Sequence, residues 1–269
     1  QQAFRKRKLS TRREGGVMTT AAVLTMTATP LRTSPIKRGA WVATVMFNDP
    51  PPPPPDVVPE IEADDAEIEA KGHRAVGIPT DATDPDAIEH LVNRTVTEFG
   101  QIDILMNVVG GSQGPTFKRG PLLELSKEDF NEAFNINVTS AFLFSKAVVP
   151  YMLQQESGVI INMASIGARD YRLPETGMSV YNMTKASVMH LTRSMAKEWA
   201  PNIRVNCISP GGVFNDQSEF FINNYNQRVP LGRMCMDNEL TGILEFLLSN
   251  KSSYITGQNI IVDGGYTAW

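Results

Sequence analysis

Three stretches of the chain are apolar throughout and lack the strict alternation of apolar and polar residues that marks a half-exposed strand. They are residues 102–109, 158–165 and 203–211. Continuous apolar runs of this length are typical of strands that are covered on both faces, as in parallel sheets. The pattern therefore predicts three buried strands of one parallel sheet.

Longer segments with helical periodicity lie between and before these runs. Residues 84–99 begin with an aspartate N-cap followed by a proline in the first turn. Residues 126–156 open with Ser126 and Asp129 in a weakened form of the capping box, and residues 178–199 form an amphipathic run. Alternating strands and helices predict an α/β fold with helices on both sides of the sheet.

Shorter segments carry weaker signals of both kinds. We predict short strands at residues 41–47, 57–60, 74–79 and 259–262. We predict short helices at residues 63–71, ended by Gly72, and at residues 237–248.

Polar residues and glycines stand where the predicted strands end. They are Asn107, Gly110, Ser165, Pro210 and Gly211. In open parallel sheets, ligands bind beyond the carboxyl ends of the strands. We therefore expect these residues to lie around one ligand site.

Tyr181 and Lys185 are four residues apart in the amphipathic run, and so they share one helical face. An ammonium beside a phenol favours the phenolate, so we expect the Tyr181 pKa to fall from about 10 toward neutral pH. Such a tyrosine gives a proton to an alkoxide or takes one from an alcohol. The same spacing also fits an ordinary surface pair, and the neighbouring motifs decide between the two interpretations.

The surrounding motifs follow one another in a fixed order. They are Asp81 after a strand, Asn107-Val108-Val109-Gly110, Asn137 within Ile136-Asn137-Val138, Ser165, Tyr181 with Lys185, Pro210-Gly211, Thr256-Gly257-Gln258 and Val262-Asp263-Gly264-Gly265. Together they resemble the short-chain dehydrogenase/reductase family over residues 56–269, apart from a long gap between Ser165 and Tyr181. The resemblance implies a single Rossmann-like domain with a doubly wound parallel sheet, and hydride transfer between NAD(P) and an alcohol or carbonyl substrate.

The resemblance also implies a role for each catalytic residue. Tyr181 is the general acid/base, and Lys185 lowers its pKa and holds the nicotinamide ribose. Ser165 donates a hydrogen bond to the substrate oxygen, and Asn137 holds a water that links Lys185 to solvent. The implied cofactor-binding residues are Asp81, Ala82, Asn107, Val109, Gly110, Tyr181, Lys185, Pro210, Gly211 and Val213.

Simpler structural roles remain open for three of these residues. Ser165 also fits a residue that caps a turn, and Asn137 also fits one that only bridges backbone groups. Asp81 also fits a turn residue in front of a helix.

The chain departs from the family at its start, where the glycine-rich Thr-Gly-x-x-x-Gly-x-Gly turn is missing. That turn lets the backbone approach the cofactor pyrophosphate. Asn48, Asp49 and the six prolines of residues 50–55 stand in its place, and prolines offer no N–H groups to a phosphate. We therefore expect an incomplete or altered first βαβ unit. Glu60, at the end of the next predicted strand, favours NAD over NADP by the same resemblance.

Three interpretations of this departure stay open. The chain is an enzyme with a rebuilt cofactor grip, a catalytically inactive relative that acts as a binding or scaffold protein, or a damaged gene product. The proline run is interpreted as a polyproline II spacer within the domain, with an SH3-type ligand as the alternative.

Charge divides the chain into two parts. Residues 1–40 hold nine Lys or Arg and one acid, so they carry +8, and with a total of −4 the remainder carries −12. The acidic body argues against nucleic-acid binding. We predict that residues 1–40 form a disordered tail and residues 41–269 the domain. A targeting peptide and a nucleic-acid or nuclear-import patch are the alternatives for the basic tail.

Composition adds few further constraints. The two cysteines and three scattered histidines have no metal-ligand spacing, so no metal is expected, and no apolar run approaches the ~20 residues that span a bilayer. We expect a cytoplasmic protein that binds a small-molecule substrate and no membrane. The family often builds subunit contacts from the long helix at 126–156, which implies a homo-oligomer, a dimer or tetramer.

The segment 212–229 falls where the family places its substrate lid. It mixes Phe214, Phe220, Phe221 and Tyr225 with several Asn and Gln residues. Such a mixture favours a sugar or polyol substrate over a steroid, although the aromatic residues also fit simple packing of the lid against the core.

Overall fold

The described part of the chain forms one parallel sheet. The computed structural model describes residues 72–114, 116–168, 177–215 and 217–268. Four strands pair in the order β1–β2–β3–β4, namely β1 Ile104–Asn107, β2 Gly158–Met163, β3 Ile203–Pro210 and β4 Asn259–Val262. All neighbours are parallel, so the carboxyl ends of the strands meet at one edge. The three predicted buried strands are confirmed, with slightly shorter bounds.

Helices connect these strands. The helical segments predicted at residues 84–99, 126–156, 178–199 and 237–248 are confirmed, whereas the helix Glu219–Asn226 was not predicted. In chain order they are α1 Pro85–Phe99, α2 Lys127–Phe134, α3 Ser140–Gln154, α4 Ser179–Glu198, α5 Glu219–Asn226 and α6 Thr241–Leu248. A π-helical turn, Asn135–Thr139, joins α2 to α3, and short 3-10 turns cover Leu122–Glu124, Ile166–Ala168, Asp237–Leu240 and Asn250–Ser252.

The sheet is covered on both faces, which is why its strands are largely apolar. On one face, Leu105 of β1 and Ile160 of β2 pack in a buried cluster with Phe144 of α3. On the other face, Ile161 of β2 packs in a cluster with Leu244 of α6. This arrangement confirms the predicted α/β fold with a doubly wound parallel sheet.

Local capping signals set the starts of two helices. The Asp84 carboxylate accepts the Asp86 N–H at 3.0 Å, and α1 starts at the next residue. Ser126 and Asp129 form a complete capping box, because the serine hydroxyl accepts the Asp129 N–H and the carboxylate accepts the Ser126 N–H. A capping box satisfies two N–H groups that the first turn leaves unpaired.

The run from α2 to α3 is the longest helical segment of the described residues. There, Lys127–Gln154 (28 residues) is one helix that is long and apolar enough to cross a membrane by length and composition alone. The prediction concerned an unbroken apolar run, and polar residues interrupt this helix. About half of its most apolar window is buried inside the protein, and the core helix of a packed domain passes the same test.

The prediction of a strand at residues 74–79 is wrong. A strand is defined by ladder hydrogen bonds to a neighbour, and within the described residues this segment belongs to no ladder. Its predicted neighbour at residues 57–60 lies outside the described residues. So do the predictions for the basic tail, for residues 41–47, 50–55 and 63–71, for Glu60 and for the altered first βαβ unit.

Candidate active site

Helix α4 brings Tyr181 and Lys185 to the carboxyl edge of the sheet. The Lys185 Nζ donates a hydrogen bond to the carbonyl of Met163, the last residue of β2, at 2.9 Å. The same nitrogen lies 5.7 Å from the centroid of the Tyr181 ring. The two side chains therefore share one helical face and meet beside the end of β2, as their spacing predicted.

Ser165 lies two residues beyond β2. Its hydroxyl accepts the Gly167 N–H at 3.2 Å, at the start of the short 3-10 turn Ile166–Ala168. The serine also interacts with the Tyr181 side chain and lowers the Tyr181 pKa. The turn-capping role named as the alternative is therefore observed, and the hydrogen bond from Ser165 to a substrate oxygen stays a prediction.

The acidity of Tyr181 differs from the prediction. Burial raises the Tyr181 pKa above its ordinary value of 10.0, and the interaction with Ser165 offsets only part of this effect. Burial also lowers the Lys185 pKa to about 8, although the nearby Cys207 counteracts it. Removal from water disfavours the charged form of both groups. The prediction that Lys185 brings the Tyr181 pKa down toward neutral pH is therefore wrong.

Asn137 stands in the π-helical turn and is 1% exposed. Its Oδ1 accepts the Gly111 N–H and its Nδ2 donates to the carbonyls of Gly111 and Ala133, each at 2.9 Å. The side chain thus joins the loop after β1 to the helix, which is the backbone-bridging role named as the alternative. Its role in holding a water beside Lys185 stays a prediction.

Gly110 brings the loop after β1 into direct contact with the catalytic groups. Its φ angle is 152°, a conformation that residues with a Cβ rarely adopt. A Cβ at this position would lie 2.3 Å from the Asn137 Oδ1 and 3.1 Å from the Lys185 Nζ. Only a glycine therefore fits between the π-helical turn and the buried lysine.

Asn107 is positioned by the sheet itself. Its Nδ2 donates to the Asn162 Oδ1 at 2.8 Å and to the Ser145 Oγ at 3.1 Å, and its own Oδ1 is buried without a hydrogen-bond partner. These contacts connect β1 with β2 and α3. The predicted contact of Asn107 with the adenosine ribose stays a prediction, and the present contacts stabilise the strand ends.

Asp81 and Ala82 form the turn in front of α1. The Asp81 Oδ1 accepts hydrogen bonds from the Thr83 N–H and hydroxyl at 2.8 and 2.7 Å. Asp81 is exposed, whereas Ala82 is buried in the core. This geometry matches the turn role named as the alternative for Asp81, and contact with adenine stays a prediction for both residues. Val109 is partly buried against two core clusters.

The loop that follows β3 packs closely on neighbouring segments. The Gly211 N–H donates to the carbonyl of Val262 at 2.9 Å, and Val213 forms an isolated bridge with Cys235. The hydroxyl of Tyr225, from α5, accepts the Gly212 N–H. The loop that begins at Pro210 is thus fixed from the strand side and from the helix side.

Buried polar residues next to Asn107, under the site, were missed in the sequence. Asn107, Asn162 and Cys207 are register partners on β1, β2 and β3. The Asn162 Nδ2 donates to the Thr192 hydroxyl at 2.9 Å. Burial raises the Cys207 pKa to about 11, against the effects of Ala164, Lys185 and Thr192. The sequence did offer one signal for these residues, namely a polar residue near the carboxyl end of each largely apolar strand.

Metal ligation has no support within the part of the chain that the structure describes. There, no group of three or more His, Cys, Asp or Glu side chains is arranged to hold a metal ion.

The buried lysine predicts a specific dependence of stability on pH. Because the Lys185 pKa falls from 10.5 to about 8 on folding, the unfolded chain binds more protons than the folded protein between these values. Stability contributed by this group is therefore absent below pH 8 and increases as the pH rises toward 10.5. The full gain is about 3 kcal/mol, since one pKa unit corresponds to 1.36 kcal/mol.

Lys185→Met removes this titration and leaves the other groups in place. We expect the unfolding free energy of the wild type, relative to that of the variant, to increase between pH 8 and 10.5 in urea unfolding series. Lys197→Met, at an exposed position of the same helix, is the control and should follow the wild type. A pH-independent difference between wild type and Lys185→Met would contradict the assignment.

Comparison with known protein families agrees with this geometry. A family model described as enoyl-(acyl carrier protein) reductase matches residues 56–267. A second model, described as a protein of unknown function, matches residues 13–79.

Individual relatives are oxidoreductases by name. The chain is 35% identical over 212 residues to 2-dehydro-3-deoxy-D-gluconate 5-dehydrogenase of Escherichia coli, covering 75% of this chain and 80% of the relative. It is 36% identical over 188 residues to the 3-oxoacyl-(acyl carrier protein) reductase FabG of Thermotoga maritima, covering 68% and 73%.

Solved structures show the same likeness. A putative gluconate dehydrogenase from Agrobacterium tumefaciens superimposes with a TM-score of 0.73 at 28% identity, covering 87% of this chain and 92% of that chain. An NAD+-bound xylitol dehydrogenase superimposes with a TM-score of 0.68 at 31% identity, covering 76% and 84%. The family model, the relatives and the fold agree, and the chain belongs to the short-chain dehydrogenase/reductase family.

Proposed function

We propose that this protein is an NAD(P)-dependent dehydrogenase or reductase that transfers a hydride between the nicotinamide and an alcohol or carbonyl carbon. The observation that carries the proposal is the grouping of Tyr181, Ser165 and a buried Lys185 at the carboxyl edge of a parallel sheet, with the Lys185 Nζ 5.7 Å from the centroid of the Tyr181 ring. Ligands bind at this edge in folds of this kind. An ordinary surface tyrosine–lysine pair would not include a buried lysine.

Each group has a defined task in the proposed reaction. In the reducing direction, Ser165 donates a hydrogen bond to the carbonyl oxygen and stabilises the negative charge that develops there. Tyr181 gives its proton to that oxygen as the carbon gains the hydride, and in the oxidising direction the phenolate takes the proton back. The bound nicotinamide supplies or accepts the hydride. The raised Tyr181 pKa keeps the phenol protonated at neutral pH, so the hydroxyl is available as a proton donor.

The residues around Lys185 fit the ribose side of such a cofactor. The lysine ammonium has one hydrogen bond in the structure, to Met163, and it lies against Gly110, where no side chain intervenes. An ammonium has three donors, so further donors are available for ribose hydroxyls. We propose that Asp81, Ala82, Asn107, Val109 and the 210–213 loop line the rest of the cofactor path.

We further propose NAD as the preferred cofactor, because Glu60 stands where the family places the acid that meets the ribose hydroxyls. Titration of the protein with NADH and with NADPH, followed by nicotinamide fluorescence, tests the proposal and the preference together. We expect saturable binding with the lower Kd for NADH. Absence of saturable binding of either cofactor up to millimolar concentration would favour the inactive binding or scaffold protein, which the missing glycine turn motivates.

A sugar, sugar acid or polyol is the proposed substrate class. The relatives include proteins named as acting on a deoxygluconate, on gluconate and on xylitol. Helix α5 also presents Asn223 as an exposed polar side chain in the segment predicted to form the substrate lid. Comparison of kcat/KM for polyols and for apolar secondary alcohols tests this class, and a preference for the apolar alcohols would contradict it.

Self-association through α2 and α3 is proposed from the exposed apolar residues on that helical run. Phe142 is 46% exposed and Leu153 is 40% exposed on α3. Large apolar side chains that are exposed on a surface often mark a contact with another protein chain. Light scattering with size-exclusion chromatography tests the expected dimer or tetramer, and a monomer at micromolar concentration would contradict it.

A further inference from the structure

Tyr225 connects the helix of the predicted lid to the loop after β3. It lies on α5 and is 6% exposed. Its hydroxyl accepts the Gly212 N–H, and burial raises its pKa to about 12, so the hydroxyl stays protonated at neutral pH. The amide of Gly212 therefore depends on a side chain from another element for its hydrogen bond.

The loop backbone lies directly on the tyrosine. A Cβ added to Gly211 would lie 2.9 Å from the Tyr225 hydroxyl. A Cβ added to Gly212 would lie 2.7 Å from the ring atom Cζ and 2.9 Å from the Met234 Cε. All three distances are shorter than the contacts that real Cβ atoms make. The two consecutive glycines are thus the residues that allow the loop to approach the phenol.

Aromatic contacts hold the tyrosine ring from behind. The ring stacks on Tyr266 with centroids 4.9 Å apart and on Phe221 with centroids 5.9 Å apart. Tyr266 belongs to a tight turn after β4, in which the Asp263 carboxylate accepts the N–H groups of Gly265 and Thr267 at 2.9 and 2.8 Å. Tyr225 is therefore a fixed support and not a mobile side chain at the edge of the lid.

We infer that Tyr225 is a positioning residue for cofactor binding, because its hydroxyl holds the loop of residues 210–213 in the conformation that faces the nicotinamide. This inference rests on the proposed function, which assigns that loop to the cofactor. Since Tyr225 also belongs to α5, the same hydrogen bond connects the cofactor side of the site to the helix expected over the substrate. A role in packing alone would need only the ring and not the hydroxyl.

Tyr225→Phe separates the hydroxyl from the ring. The phenylalanine keeps the stacking but leaves the Gly212 N–H unpaired, so the loop relaxes and cofactor binding must restore it. We expect the Kd for NADH to rise about tenfold, equivalent to 1.4 kcal/mol. The kcat at saturating cofactor should fall less than about threefold, because Tyr181, Ser165 and Lys185 lie on other elements.

Tyr266→Phe is the matched control. Tyr266 is 3% exposed and stacks on the same ring, but its hydroxyl has no hydrogen-bond partner. We expect this variant to bind NADH with the wild-type Kd. Equal Kd values for wild type, Tyr225→Phe and Tyr266→Phe would overturn this inference and leave the proposed function standing. A wild-type protein that binds neither NADH nor NADPH would overturn the proposed function, and the inference with it.

Gly212→Ala tests the same contact from the loop side if Tyr225→Phe does not fold. The added methyl group would push the loop away from the phenol, and we expect a rise of about tenfold or more in the Kd for NADH. Gly242→Ala is its control, because a Cβ there would meet nothing within 4 Å. A Gly212→Ala protein with the wild-type Kd would overturn the inference.

Discussion

Replacement of Tyr181 by phenylalanine is expected to lower kcat by roughly a thousandfold, the typical contribution of a positioned general acid or base. The variant keeps the ring that packs beside Lys185 and loses only the hydroxyl, the group whose pKa Ser165 lowers. We expect the Kd for NADH to stay within about threefold of the wild type, because the ring and the lysine remain. Steady-state kinetics and fluorescence titration on the same preparation measure both quantities.

The pH dependence distinguishes a lost proton donor from a disturbed site. Alcohol oxidation needs the phenolate, so its kcat/KM in the wild type should increase as the pH rises toward the pKa of Tyr181 in the complex. The residual oxidation by Tyr181→Phe should lack this increase. A variant that retains more than about a tenth of the wild-type kcat would contradict the assignment of Tyr181 as general acid/base.

Tyr151→Phe is a matched control for the loss of a phenolic hydroxyl. Tyr151 lies on α3, and its hydroxyl donates to the Asn93 Oδ1 at 3.1 Å. Tyr151→Phe loses this one hydrogen bond, which contributes about 1 kcal/mol to stability. It should therefore lower the thermal unfolding temperature slightly while keeping the wild-type kcat.

Local signals were sufficient to predict the elements that position this site. The apolar runs at β1, β2 and β3 identified buried strands, because a strand covered on both faces has no face exposed to water and so lacks alternating polar residues. Asp84 and Ser126 identified helix starts, because their side chains satisfy N–H groups within a few residues in sequence. The spacing of Tyr181 and Lys185 placed both on one face, since helix geometry alone determines this relation.

Properties that depend on the packed environment could not be predicted in the same way. The Tyr181 pKa rises because its hydroxyl is removed from water, and no pattern around residue 181 reports the depth of burial. The Asn137 side-chain amide is hydrogen-bonded to Gly111, 26 residues away, and the Tyr225 hydroxyl is hydrogen-bonded to Gly212. Each contact joins elements that meet only in the folded domain, so the sequence suggests candidates but not partners.

Gly110→Ala is expected to damage stability and activity together. The new methyl group would meet the Asn137 Oδ1 at 2.3 Å and the Lys185 Nζ at 3.1 Å, and the backbone angle of 152° is itself unfavourable for alanine. Overpacking and backbone strain each typically cost 1–3 kcal/mol, so we expect unfolding free energy to fall by about 3 kcal/mol. Displacement of the lysine should also lower kcat/KM by about a hundredfold.

Gly232→Ala separates the two causes of this loss. Gly232 also has a positive φ angle, of 72°, but a Cβ there would meet nothing within 4 Å. This variant should therefore lose about 1 kcal/mol from strain and keep the wild-type kcat/KM. Equal losses in urea unfolding for the two variants would show that Asn137 and Lys185 yield to the methyl group. A larger loss of both stability and kcat/KM in Gly110→Ala would mean that the loop after β1, the π-helical turn and Lys185 form one rigid unit. A change in any of the three would then displace Lys185 from Tyr181.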